Sequence, residues 1–98
     1  MNQETFKAVD EYIKERVGQE DQILIDIRKS GLKSTMPEAN ISPNQGKFLN
    51  ILAKACFPKN ILEIGTLVGY STIWLARALP EGGKLVTIEY EETNYELH

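Results

Sequence analysis

The sequence predicts an α/β fold of the open, doubly wound kind, entered through leading amphipathic helices. Two observations carry this. Apolar residues recur at helical spacing through the first half, whereas Asn60–Ile64 and Lys84–Glu89 are short, strand-like runs. Between these runs lie a glycine turn and one helix-length segment, the strand–turn–helix–strand order of a right-handed βαβ unit. At 98 residues the chain is one small domain or part of a larger one.

Phe6, Val9, Ile13 and Val17 stand at helical spacing, with Gly18 placed as a stop. A second helix is predicted over residues 20–30. Glu20 and Asp21 sit near its start, Ile23, Leu24 and Ile27 form its apolar stripe, Arg28 and Lys29 lie near its end, and Gly31 closes it. Residues 32–41 have no sustained period, contain Met36-Pro37, and read as a loop. Ser42-Pro43-Asn44-Gln45 starts a third helix, with Ser42 as cap, Pro43 in the first position and Gln45 at the reciprocal capping site. Phe48, Leu49, Leu52 and Ala53 are its expected buried stripe, and it should stop before Pro58. A fourth helix is expected over residues 70–79, broken by Pro80-Glu81-Gly82-Gly83. Residues 91–98 read as the opening of a further helix. The organisation is thus a helical segment and loop over 1–40, then the first part of an α/β domain over 41–98, incomplete within this sequence.

Composition narrows the function classes. Apolar residues at 42% and charged residues at 26% argue against global disorder. Fourteen acids against eleven bases, net −3, give no general attraction for nucleic acid or anionic membrane. No apolar run reaches the roughly 18 residues of a membrane span, and the first residues lack the pattern of a signal peptide. Cys56, the one cysteine, cannot form an intramolecular disulfide and is expected to be a small buried residue. His98, the one histidine, rules out a zinc cluster of the usual type. Trp74 and Phe48 are expected in the core. These features describe a soluble, cytoplasmic protein.

The chemistry lies between Ile61 and Tyr90. Gly65 ends the first strand and Gly69 closes the turn, allowing a sharp bend and close approach of a ligand. In open α/β sheets ligands sit beyond the carboxyl ends of the strands. Glu89, 24 residues after Gly65, ends the second strand where a carboxylate can accept hydrogen bonds from ribose hydroxyls. These features point to a nucleoside. A dinucleotide fingerprint needs G-x-G-x-x-G, and Leu67 stands where its second glycine belongs, which disfavours a nicotinamide or flavin dinucleotide. Glu63 would repel phosphate but suits an ammonium group. A nucleoside with an amino-acid tail fits, and S-adenosylmethionine is one.

Glu63-Ile64-Gly65-Thr66-Leu67-Val68-Gly69-Tyr70-Ser71, followed by a strand ending in Glu89, resembles the cation-dependent O-methyltransferases that include the caffeoyl-CoA and catechol enzymes. Ser42-Pro43-Asn44-Gln45-Gly46 resembles the segment these enzymes place ahead of the motif, and Asn94-Tyr95-Glu96-Leu97 the helix after their ribose acid. The resemblance covers the chain from about Ile41 onward and implies the N-terminal half of a Rossmann-like doubly wound methyltransferase fold. It implies that Glu63 and Ser71, with backbone near Ile41, hold the amino and carboxylate ends of the methionine portion. Gly65, Thr66 and Gly69 would form the turn beneath the cofactor, Glu89 would hold the ribose, Tyr90 would lie against the adenine, and Tyr70 would lie near the methionine portion.

Family members are considerably longer. Their acidic and asparagine ligands for a divalent cation such as magnesium, their catalytic base and most of their acceptor pocket lie on later strands. The implied reaction is methyl transfer to a hydroxyl of a small aromatic, catechol-like acceptor, with this sequence carrying the cofactor half and inactive alone. Some members of similar sequence act on a tRNA base, which the acidic composition disfavours. The alternative from another class is a non-catalytic cofactor-binding or self-association module. Two strands leave both sheet edges open, so either a longer enzyme or a homo-oligomer is expected.

Overall fold

In the computed structural model, which describes residues 2–34 and 39–90, three helices lead into a strand–helix–strand unit. They are α1 (Gln3–Arg16), α2 (Gln22–Gly31), α3 (Pro43–Cys56), β1 (Asn60–Ile64), α4 (Tyr70–Ala76) and β2 (Lys84–Ile88). The strands pair in parallel, from Asn60 opposite Lys84 to Ile64 opposite Ile88. Gly65 adds a rung beyond β1, its amide donating to the Ile88 carbonyl at 2.7 Å. The helix expected in 91–98 and part of the loop expected over 32–41 lie outside the described residues.

Ser42 makes the full capping box: its hydroxyl accepts from the Gln45 amide, and the Gln45 side chain accepts from the Ser42 amide. Phe57, left-handed at φ 49°, ends α3 just before Pro58. The buried face of α3 differs from the expected one. Gly46 and Asn50 face α4, while Phe48 is 60% exposed and Leu52 is also exposed. Phe48 lies about 200° around the helix from Gly46, so only one of these faces can meet α4. Gly46 decides which one, because a Cβ there would fall 2.2 Å from Trp74 Nε1. Asn50 donates to the Trp74 carbonyl at 2.8 Å. Cys56, expected to be buried, is exposed at the end of α3.

α4 is shorter than predicted. After Ala76 the chain tightens, with the Ala78 and Leu79 amides bonding three residues back, ahead of Pro80. Leu24 of α2 packs with Val68, Tyr70 and Trp74 in the buried core, and Ile27, Ile41, Leu67 and Ile73 close around them. The apolar residues of α1 at helical spacing, Phe6, Val9 and Ile13, are exposed, as is Ile23 of α2. On α1 the contact to α3 is polar, the Asn44 side chain donating to the Asp10 carbonyl at 2.8 Å. Gly18 follows the Val17 cap, and Gly31 is the last residue of α2, not the residue beyond it. One sheet face looks toward α4; the other exposes Leu62, Ile64, Val86 and Ile88.

Candidate functional site

Residues 65–69 turn the chain from β1 into α4 at the carboxyl ends of both strands. Gly65 and Gly69 adopt φ 92° and 90°, and beyond the adjoining residues nothing lies within 4 Å of where a Cβ would stand on either. These are open positions that a side chain would fill. Leu67 is also left-handed, at φ 53°, a conformation that costs a non-glycine residue about 1–2 kcal/mol.

Glu89 holds this turn. Its Oε1 accepts the amides of Thr66 at 3.0 Å and Leu67 at 2.6 Å, and the residue is buried. The carboxylate expected to meet a ribose therefore also fastens the turn on which that ligand would rest.

Glu63 is the centre of a second cluster beneath it. This carboxylate is 8% exposed. Ser71 donates to its Oε2, while Thr72 and Thr87 both donate to Oε1, Thr87 at 2.9 Å. Thr66 Oγ1 lies 2.5 Å from Thr87 Oγ1 and ties the turn to this cluster. Beside the turn a cavity of about 330 Å³ is walled by Ile27 and Ser30 of α2 and by Thr66, Val68, Gly69, Thr72 and Ile73.

Glu63, Gly65, Thr66, Gly69, Ser71 and Glu89 are thus brought to one end of the sheet. Ile41 is half-buried against the core. Tyr90 follows Glu89 and is 91% exposed. The Tyr70 ring is 1% exposed in the core, and its hydroxyl donates to Glu20 Oε2 at 2.7 Å. Arg28 donates to both oxygens of the same Glu20 through Nε and Nη2, at 2.8–3.1 Å. Burial opposes ionisation of Glu20, but the bonds from Arg28 and Tyr70 outweigh it and hold its pKa below the ordinary value. Burial, with Glu20 as acceptor, pushes the Tyr70 phenol well above its ordinary range. Glu20 and Arg28 thereby lock α2, one wall of the cavity, to the start of α4.

Thr72, Thr87 and Glu20 were not among the residues singled out by sequence. Thr87 had one available signal, its place two residues before Glu89 on the same strand face; its pairing with Glu63 comes from the register in the structure. Among the described residues no group of three His, Cys, Asp or Glu side chains comes together to hold a metal ion.

Fold and site together set an open glycine turn and two buried acids at the carboxyl ends of the parallel strands of an α/β unit. The O-methyltransferase family profile matches residues 14–98. The chain is 54% identical over 91 residues to a catechol O-methyltransferase of Niastella koreensis, covering 93% of this chain and 41% of that protein. The O-methyltransferase TomG of Streptomyces achromogenes, solved in complex with SAM, superposes with a TM-score of 0.90 at 43% identity, over 99% of this chain and 44% of that one. An O-methyltransferase of Bacillus cereus in complex with SAH gives 0.87 at 44% identity, over 96% and 43%. This chain belongs to the O-methyltransferase family, matches the N-terminal portion of its relatives and has a partial Rossmann-like fold. It spans less than half the length of these relatives.

Proposed function

We propose that this chain is the cofactor-binding portion of an S-adenosylmethionine-dependent O-methyltransferase whose acceptor is a small, catechol-like aromatic hydroxyl. The observation that carries the reading is the pairing of an open glycine turn with the Glu89 carboxylate that fastens it. The fit is chemical: Gly65 and Gly69 leave room above the strand ends, the Glu89 carboxylate can accept from ribose hydroxyls, and the Glu63 carboxylate with Ser71 suits an amino-acid tail. Tyr90, exposed beside Glu89, is an available face for adenine.

When bound, S-adenosylmethionine supplies an electrophilic methyl group. The residues here bind and orient it; Glu63 holds the ammonium end, and Glu89 fixes the ribose and the turn together. The resemblance implies a divalent cation in the longer enzyme, and the described residues provide no site for it. Acceptor specificity rests on the names of relatives, catechol O-methyltransferase among them. We further propose self-association, supported by the apolar sheet face of Leu62, Ile64, Val86 and Ile88. None of the helices described is long and apolar enough to cross a membrane.

Competition binding tests the cofactor reading. S-adenosylhomocysteine should bind saturably and resist displacement by NAD. Binding of NAD in preference would replace this reading with a nucleotide-dependent oxidoreductase.

A further inference from the structure

We infer that Thr87 is a positioning residue of the cofactor site, acting through Glu63 and Thr66. The inference rests on the proposed S-adenosyl ligand and adds a residue that no motif assigns.

Hydrogen accounting gives Thr87 its role. A hydroxyl has one hydrogen to donate. Glu63, as a carboxylate, only accepts, so the 2.9 Å contact is donated by Thr87. Thr87 has then no hydrogen left for Thr66, and the 2.5 Å contact between their hydroxyls must be donated by Thr66. The chain of donors therefore runs from Thr66 through Thr87 to Glu63. Two ends of the site meet in it: the turn, whose Thr66 amide is held by Glu89, and the acid expected to meet the amino-acid tail.

Position makes this more than local packing. Thr87 lies opposite Glu63 in the strand register, half-buried on the face toward α4. Valine would fill the same space and suits a strand equally well, so the hydroxyl is what the site uses. Without it Glu63 loses one of three hydroxyl donors, and the Thr66 hydroxyl loses its acceptor. The Glu63 carboxylate then loses the hydrogen bond that β2 gives it, while the Glu89 bonds to the turn remain in place.

Two probes read this out on the full chain: S-adenosylhomocysteine, and 5′-methylthioadenosine, which has the nucleoside but lacks the amino-acid tail. Thr87→Val should weaken S-adenosylhomocysteine about tenfold, the order expected for one charge-assisted hydrogen bond. It should leave 5′-methylthioadenosine within about twofold, an effect too small to reflect a lost bond of that kind. Thr87→Ser, which restores the hydroxyl, should recover the lost affinity. Equal weakening of both probes would make Thr87 a general structural residue and overturn the inference, as would a Thr87→Val chain that binds both like the parent. Failure of the parent chain to bind either probe would overturn the cofactor reading and this inference with it. Binding by the parent with an unaltered variant overturns the inference alone.

Discussion

Leu67 donates its amide hydrogen to the Glu89 carboxylate across 2.6 Å, and does so from the left-handed region at φ 53°. The acid beyond β2 thus stabilises a turn conformation that Leu67 disfavours. Glu89→Ala would leave the Thr66 and Leu67 amides without this acceptor, at about 1–3 kcal/mol for each buried group left unsatisfied. Thermal unfolding without ligand should therefore show a marked loss in Glu89→Ala. Glu89→Gln keeps a carbonyl acceptor and should recover part of it. A Glu89→Ala chain as stable as the parent would remove the turn-fastening role.

Close approach of α3 to α4 depends on Gly46. An alanine Cβ would stand 2.2 Å from Trp74 Nε1 and 2.3 Å from Cδ1, so the indole or the helix must move. Gly46→Ala should destabilise by about 1–3 kcal/mol, the usual range for overpacking, and should shift the tryptophan emission. Unchanged emission and stability would show that the two helices are not packed as described.

Asn50 is the polar member of the same interface, 3% exposed and bonded to the Trp74 carbonyl. Asn50→Ala should lower stability in urea unfolding by about 1–3 kcal/mol, because the carbonyl loses its side-chain donor where water has little access. A neutral result would show that water reaches that carbonyl.

The Glu20–Arg28–Tyr70 cluster makes stability depend on acid. A carboxylate whose folded pKa is depressed adds stability above its unfolded value and loses it as the pH falls through the folded value. For Glu20 that loss starts near the ordinary value of 4.5 and continues below it. Asp21, lowered by the Leu24 amide and by Arg77, titrates in the same direction. Glu20→Gln should cost about 1–3 kcal/mol at neutral pH, where the bidentate Arg28 pair is weakened. Its stability should then fall less steeply below pH 4.5 than that of the parent. Urea unfolding at stepped pH checks this, and an identical acid limb in both chains would contradict it.

The capping box at Ser42, the stop before Pro58, the strand–turn–helix–strand order and the place of Glu89 were all legible in the sequence. Each is carried by local chemistry: a cap, a proline, two glycines, a change of period. The buried face of α3 was not, because Gly46 and Asn50 carry no apolar signal and the choice of face belongs to Trp74. Glu20 read as an ordinary acid near a helix start, since its partners Arg28 and Tyr70 lie 8 and 50 residues away. Thr87 read as a strand former. Its hydrogen bond to Glu63 exists only through the parallel register, which a single sequence leaves open.

Calorimetric titration of the chain with S-adenosylhomocysteine, beside Glu89→Ala, tests the central claim most directly. The parent should bind saturably, and the variant should lose about tenfold or more in affinity, as a charge-assisted contact implies. No binding by a folded parent chain, or equal binding by both chains, would contradict it.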